Sequence, residues 1–599
     1  MKWIKCFFVI LFVWLFLFGG KNEIFIRVNQ VGYLPHEPKV AIVFSSIKLE
    51  KYEFAVIEES TGKRIFGPFR IKEDLGEWGN FRHYYELDFS DLETSGRYVI
   101  AIGKKGGKNW RSLPFSIGVD IYNRYIDFLL FYMRQQRCGY NPILDEVCHR
   151  FDGRTVYAPI PDGSYIDATG GWHDAGDYLK YLLTSSNTVC RLLITFIENR
   201  GKFSDSTDYF GHKVPNGIPD ILDEAKWGLD WMLKLHPDED QLYHQVADDR
   251  DHIGFKLPFK DTADYGWGPG SYRVVYFASG KPQGLGKYRN TSTGVANLAG
   301  RYAAAMAMAY RVWKDYLKDD AFALRCLKAG IEVYKLGKAK KGSQEGTPCR
   351  APYRYYEKTW ADDMEWGASE LFRVTGDSIY YWDAVKFSKL AGTVSWMGLD
   401  TANHYEYYPF MNMGHYSLYS VSEDQTLKDS LIFYYRHEIE KVLKRARNNP
   451  FRVGIPFIWC SNNLAAAFVN QCILYEKMSG DTSYQRLMSA HRDWLLGRNP
   501  WGVSQFIGIP DSGGVTPCFP HSAIFLEKGI VIKGGLVDGP VYASIFNSLK
   551  GIRLSREDKF SAFQSDYLVY HDDVWDYSTN EPTLDGTAEA LFFISHFAR

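Results

Sequence analysis

The sequence predicts two structural units, a small β-sandwich followed by a mostly α-helical domain, and three observations carry that reading. The chain has 599 residues, too many for one ordinary core. Between residues 24 and 118, short β-branched and aromatic runs alternate with Gly, Pro, Asp and Ser turns, the texture of a small sandwich. After the Gly-Val-Asp at 118–120 the period changes, and "IYNRYIDFLLFYMRQQR" has apolar residues at helical spacing.

Taken in order, residues 1–20 ("MKWIKCFFVILFVWLFLFGG") place Lys2 and Lys5 before an unbroken apolar run, as in a secretory signal. The run is short for a membrane span and the residues before Gly19 are large for a cleavage site, so retention as an anchor is the alternative. Residues 21–118 form the sandwich, with strands expected in "IFIRVNQVGYLP", "KVAIVF", "YEFAVIE", "HYYELDF", "GRYVIAI" and "LPFSI". Residues 119–599 form the helical domain. In "DILDEAKWGLDWMLKLH", Ile221, Leu222, Ala225, Leu229, Met232 and Leu233 share one face. "TGVANLAGRYAAAMAMAYRVWKDYL" is apolar nearly all round its first half, as in a deeply buried helix. "ELFRVTGDSIYY" and "ILYEKMSGDTSYQ" close two helices alike with Gly-Asp, which predicts a helical hairpin used more than once. Repeated hairpins can close into a ring, but ring closure does not follow from the sequence.

Composition excludes several classes. Lys+Arg of 70 against Asp+Glu of 71 gives a net charge of -1, with no general attraction for nucleic acid or an anionic membrane. Nine cysteines in so long a chain, one of them Cys6 of the leader, make no disulfide scaffold. The aromatic share of 16% exceeds ordinary core needs, and flat rings with a polar edge suit the C–H faces of sugars.

Four segments are richer in polar groups than a loop requires. "GGWHDAGDYLKY" at 170–181 sets Asp174 and Asp177 three residues apart on a glycine hinge beside His173. That pattern suits a capped helix start, or a pair in which one carboxylate activates a water and the other orients it. "HRDWLLGRNPWGVSQFIG" runs from a helix into an Asn-Pro-Trp-Gly turn, and "CFPHSAIF" places His521 after a proline. "YHDDVWDYSTNEPTLDGTAEAL" crowds Asp572, Asp573, Asp576, Glu581 and Asp585 among aromatics. Crowded acids raise one another's pKa, as a general acid at neutral pH requires; a solvated acidic loop or a calcium site reads equally well.

These segments, in this order and separation, resemble glycoside hydrolase family 9, the inverting cellulases, in the subgroup with an N-terminal immunoglobulin-like domain. "IRVNQVGYLP" is similar to that domain's opening strand, and "YHDDVWDYSTNE" to the family's acidic signature. The resemblance implies an (α/α)6 barrel with a cleft across one end. It implies Asp177 as the base, Asp174 holding the water, Glu581 as the acid, and His521 and Asp572 in the same pocket. Inversion needs two carboxyls on opposite faces of the sugar, so two acids on one turn cannot suffice and a distant partner is required. The chain departs from the family after Pro520, where His521-Ser522-Ala523 lacks the usual Arg, and in the Glu581–Ala588 run, where the usual Asn is replaced. Both changes put the substrate in doubt more than hydrolysis.

Cys138, Cys148 and His149 lie close in sequence, and His173 completes a Cys2His2 set if it folds back, a set suited to tetrahedral zinc. Family members with the sandwich are similar in carrying zinc near the base, where it would be structural. Calcium is common in the family, and no ligand is assigned to it. Trp267, Trp360, Trp501, Trp575 and Tyr577 lie in loops and are candidate sugar platforms. The expected protein is a secreted or cell-surface endo-β-1,4-glucanase acting on a β-glucan, with no nucleic-acid partner, no membrane partner beyond the leader and no dockerin. The alternatives are an exo-acting hydrolase of cello-oligosaccharides, xyloglucan fragments or glucosamine oligomers, and a non-catalytic glycan-binding protein.

Overall fold

The computed structural model describes residues 23–599 except 105–106, 253, 271, 352–353 and 400. The leader predicted over 1–20 lies outside the described residues. Among those described, no helix is long and apolar enough to cross a membrane.

The sandwich has nine strands: β1 (Ile24–Arg27), β2 (Gly32–Tyr33), β3 (Val40–Ser45), β4 (Glu53–Glu58), β5 (Arg64–Arg70), β6 (His83–Asp88), β7 (Gly96–Gly103), β8 (Asn109–Arg111) and β9 (Phe115–Ile117). One sheet has the order β1-β3-β6; the other runs β2-β9-β7-β4-β5, with β8 beside β7. The run "VAIVFS" is apolar without alternation because β3 is buried on both faces. Ala41 and Val43 enter the sandwich core, while Val40, Ile42 and Phe44 belong to the core of the helical domain.

The helical domain is the (α/α)6 barrel that the family resemblance implies. Its inner helices are α2 (Leu182–Glu198), α4 (Ala296–Val312), α6 (Ala361–Thr375), α8 (Met413–Val421), α10 (Ser461–Ser479) and α14 (Leu584–Phe597). Each packs on the next, and α14 returns to α2 to close the ring. Outside them lie α1 (Tyr125–Gln135), α3 (Asp220–Lys234), α5 (Asp320–Ala339), α7 (Ser378–Ala391), α9 (Gln425–Ala446) and α11 (Gln485–Leu495); α12 (Ala523–Lys528) and α13 (Ala543–Ser548) are short additions before α14. The Ala-rich α4 is buried from Ala296 to Tyr310 because it is an inner helix. At Gly300 and Gly367 the backbones of α4 and α6 meet so closely that a Cβ on Gly300 would lie 2.2 Å from the Asp363 carbonyl carbon. The two Gly-Asp stops are the inner-to-outer corners after α6 and α10: Gly376 and Gly480 close the helices at φ 70° and 72°. Asp377 then caps α7 by accepting from the Ile379 N–H.

The inner helices run parallel. Asn463 meets Asp585 and Asn470 meets Glu589 along α10 and α14, and Gly414 abuts Asp362 at the starts of α8 and α6. Their N-termini therefore gather at one end of the barrel, and the loops before them form the cleft. Buried ion pairs join the inner helices and the loops before them, such as Arg191–Glu589 at 2.6 Å and Arg301–Glu357 at 3.0 Å.

The sandwich sits against the barrel through Phe25, Phe44 and Phe81 packed on Phe451 and Phe563. Each ring so buried contributes about 1.5–3 kcal/mol. Polar contacts fix the register: Arg27 donates to the Pro500 carbonyl at 2.8 Å, and Arg492 of α11 forms a two-pronged pair with Glu37 at 2.5 and 2.8 Å. Arg492 is fully enclosed, so its charge depends on this pairing and on neighbouring Asp493. Glu37→Ala is expected to destabilise the protein by about 3 kcal/mol, since it leaves a buried guanidinium short of a partner. The urea midpoint at unchanged slope reads this, and a midpoint equal to wild type would count against the interface as a source of stability.

Candidate active site

The 170–181 segment is a glycine turn that leads directly into α2, and its two aspartates occupy different surroundings. Asp174 is buried, with its carboxylate oxygens accepting from the hydroxyls of Thr184 and Tyr355. Burial first, then the charge of Asp585, raises its pKa well above the usual carboxylate range. Asp177 is partly open to solvent; Oδ1 accepts from the Leu179 N–H at 3.0 Å and Oδ2 lies 2.9 Å from His252 Nε2. Against the cost of burying an imidazolium, this bond raises the pKa of His252.

Glu581 precedes α14 and comes to the same turn. Its Oε1 accepts from the Gly176 N–H at 2.8 Å, although 405 positions separate the two residues. A Cβ on Gly176 would fall 2.7 Å from that oxygen and 2.8 Å from the His521 ring, so only glycine allows this approach. Burial, followed by the charges of Asp538 and Asp177, raises the Glu581 pKa well above the ordinary value. His521 Nδ1–H donates to the Val574 carbonyl at 2.7 Å, leaving Nε2 4.0 Å from Glu581 Oε1. Its pKa falls to about 4 through burial, so the ring is neutral at physiological pH.

Two sequence assignments require correction. Asp572 reaches no open surface: its carboxylate accepts from the amides of Cys518 and Phe519 at 2.8–3.0 Å and from Lys559 Nζ at 2.7 Å. It holds the loop that carries His521 and does not line the cleft. Trp501 is 1% exposed, wedged between Trp494 and Tyr570 with its indole N–H on Gln564, so it cannot stack on a sugar. The Asn-Pro-Trp-Gly turn faces inward.

Among the other aromatics, Trp575 is 42% exposed and packs 5.1 Å from Phe255, which lies 4.5 Å from His521. Tyr577 lies 6.1 Å from His521 and stacks at 5.8 Å on Trp459. Trp459, Phe255 and His252 were not singled out by sequence reading. Trp360 is half-buried just before α6, its ring against Phe387 of α7, and Trp267 is half-buried close to Gly163; neither ring contacts the group around His521. Asp538, also unforeseen, is buried beside Glu581 and accepts from Trp459 Nε1 at 2.8 Å.

The four predicted metal ligands converge. Cys138, Cys148, His149 and His173 are buried, with one ligand atom from each lying within 4.8 Å of all the others. The separations are 3.3 Å for His149 Nδ1–His173 Nε2, 3.6 Å for Cys138 Sγ–His149 Nδ1, 3.9 Å for Cys148 Sγ–His173 Nε2 and 4.0 Å between the sulfurs. A tetrahedral ion with bonds of about 2.0–2.3 Å has edges of roughly 3.3–3.8 Å, so the donor set would close on such an ion with a small contraction. His149 Nε2 meets Asp261 at 3.2 Å, a carboxylate behind a ligand that fixes the ring. Among the described residues no comparable acidic group suggests a second metal, and the acids of α3 are spent on Ser206, Thr207 and Asn216.

Comparison with known proteins agrees with this geometry. The profile of glycosyl hydrolase family 9 matches residues 122–594, and that of the cellulase N-terminal ig-like domain matches residues 22–107. The chain is 26% identical over 555 residues to a xyloglucan-specific endo-beta-1,4-glucanase of Bacteroides ovatus, covering 86% of this chain and 85% of that one. It is 25% identical to endoglucanase D of Acetivibrio thermocellus, over 83% of this chain and 74% of the relative. A crystal structure of a metagenome-derived glycoside hydrolase family 9 endoglucanase superposes with a TM-score of 0.75 at 27% identity, covering 96% of this chain and 99% of that one. A Zn-binding triple mutant of the family 9 endoglucanase J30 gives 0.73 at 25% identity, covering 94% and 99%. With the profile spanning most of the chain, and the turn and the acidic segment meeting at one end of a closed helical ring, the chain belongs to glycosyl hydrolase family 9 and carries the N-terminal ig-like domain of cellulases.

Proposed function

We propose that the protein is an exported, inverting endo-β-1,4-glucanase, with Asp177 as base, Glu581 as acid and a structural zinc ion behind the base. One observation carries the assignment. The Gly176 N–H holds Glu581 against the turn of Asp177, and the two carboxyls have opposite surroundings. Glu581 is enclosed among other acids and suited to keep a proton for the leaving oxygen; Asp177 is reachable by water and bonded by His252. Contrasting environments around paired carboxyls are what acid–base division of labour requires.

The base deprotonates a water that attacks the anomeric carbon, while Glu581 protonates the departing glycosidic oxygen, so one step forms the new C–O bond and breaks the old one. Each oxygen of Asp174 has a second lone pair beyond the Thr184 and Tyr355 bonds, and can accept from the attacking water. Neutral His521, held by Val574, offers Nε2 to a sugar hydroxyl. Trp459, Tyr577, Phe255 and Trp575 supply rings around the acid for pyranose faces. The names of the relatives point to β-1,4-glucans, and the Bacteroides ovatus relative makes xyloglucan a substrate to include.

The Cys2His2 set suits zinc, whose closed coordination shell leaves no position for substrate. His173 directly precedes Asp174, and its backbone N–H donates to the Gln136 carbonyl at 2.7 Å, so a held His173 fixes the start of the catalytic turn.

Glu581→Gln is expected to lower turnover on barley β-glucan, carboxymethylcellulose and xyloglucan by about 10²–10⁴-fold. Wild type should release the α-anomer first, as proton NMR of early products shows; a β-anomer would rule out inversion, and single small products with slow viscosity loss would indicate exo action. Gly176→Ala should lose activity to a similar degree, because the added methyl displaces the acid and crowds the His521 ring and carbonyl, whereas a fully active variant would remove the close approach from the mechanism. Purified protein should contain one zinc per chain by mass spectrometry, and Cys148→Ala should lose both the metal and thermal stability. Folded, active protein free of zinc would dispose of the structural role.

A further inference from the structure

We propose that Asp538 is a positioning residue that keeps the proton on Glu581 and fixes the indole of Trp459 beside it. The inference rests on Glu581 being the acid. Leu536–Val537 pairs antiparallel with Pro582–Thr583, a register that sets Asp538 against Glu581, and the Asp538 N–H donates to the Glu581 carbonyl at 2.8 Å. The Asn462 N–H donates to the Asp538 carbonyl at 3.0 Å, tying the same residue to the start of α10. The pair is thus held by backbone on both sides.

Two enclosed carboxyls so placed cannot both ionise, and the donors around them decide which one carries the proton. Asp538 Oδ2 accepts from Trp459 Nε1 at 2.8 Å, and Oδ1 accepts from Cys460 Sγ at 3.3 Å. An indole N–H can only donate, so a proton on Oδ2 would face another hydrogen. Glu581 accepts a backbone N–H on Oε1 alone, which leaves Oε2 able to hold a proton. Burial raises the pKa of both groups, and the donor pattern places the charge on Asp538 and the proton on Glu581. The other groups facing Glu581 do not supply this. Asp177 is engaged by His252, Asp174 by two hydroxyls and Asp585 by Tyr405, while His521 is neutral. Tyr132 of α1 gives its hydroxyl to the Pro582 carbonyl and Tyr577 gives its own to Lys550. The bond to Trp459 also holds the indole that stacks on Tyr577, so the residue that guards the proton orients a wall of the cleft.

The test is an infrared titration of the whole protein, with the Glu581 carboxylic-acid band assigned by its loss in Glu581→Gln. Asp538→Asn should lower the midpoint of that band by about one pH unit or more, the size expected for loss of one close charge. The alkaline limb of kcat/KM on carboxymethylcellulose should fall with it, because the acid then loses its proton at lower pH. The limb on 2,4-dinitrophenyl cellobioside, whose leaving group needs no proton, should stay in place, which a merely structural lesion would not produce. Trp459→Phe, which leaves Asp538 but removes its donor, should move the midpoint in the same direction by less. A midpoint that stays or rises in Asp538→Asn overturns the proposal. A lowered midpoint in a protein that cleaves no β-glucan would uphold Asp538 and defeat the hydrolytic reading; cleavage with an unmoved midpoint would do the reverse.

Discussion

Everything at the cleft depends on the helical ring closing between α2 and α14. The turn of Asp177 immediately precedes the first inner helix, and Glu581 immediately precedes the last. They can meet only if these helices, nearly the whole domain apart in sequence, lie side by side. Three contacts hold the seam: Arg191 on Glu589, Leu584 N–H on the Asp174 carbonyl, and Gly176 N–H on the Glu581 carboxyl. The first is fully enclosed, so its charges are satisfied only in the closed ring. Closing the ring and bringing Asp177 and Glu581 together are one event.

The sequence made some of this readable because local chemistry left local marks. The six expected strand segments, the buried Ala-rich helix and the two Gly-Asp corners are each encoded in one continuous local stretch. The four ligands of the metal group were legible because three lie within twelve residues and the fourth adjoins the base turn. Asp538, Trp459 and His252 were not, since each becomes part of the site only through a neighbour far away in the chain: Glu581, Tyr577 and Asp177. Trp501 and Asp572 were misread for a related reason. A Trp in a Pro-Trp-Gly turn looks exposed until the packing of Trp494 encloses it, and the place of Asp572 in the family's acidic signature gives no sign that the amides at 518–519 take up its carboxylate.

The Cys2His2 cluster and Asp177 belong to one polar layer. Arg273 bonds Asp152 at 2.8 Å through two nitrogens and Asp251 at 3.0 Å, and lies 3.9 Å from Cys138 Sγ. Asp251 adjoins His252, which bonds Asp177. The cluster's sulfurs, a buried guanidinium and the partner of Asp177 thus share one scaffold, the kind of support that precise placement of a turn needs. The sandwich works on a longer scale: β3 gives one face to the barrel core and the other to the sandwich's own core, and so ties the two units together.

The parallel arrangement of the inner helices has an electrical meaning. The six inner helices turn their positive N-terminal ends to the cleft, while the outer helices run the other way, so the electrical effect belongs to the first turns of the inner ring. Five carboxyls, Asp174, Asp177, Asp538, Glu581 and Asp585, are gathered at those ends, where the field offsets part of their mutual repulsion and their removal from water. The same crowd at the other end would face a field of the wrong sign. The direction of the inner helices thus favours one end of the barrel for a crowd of carboxyls, before any side chain chooses its role.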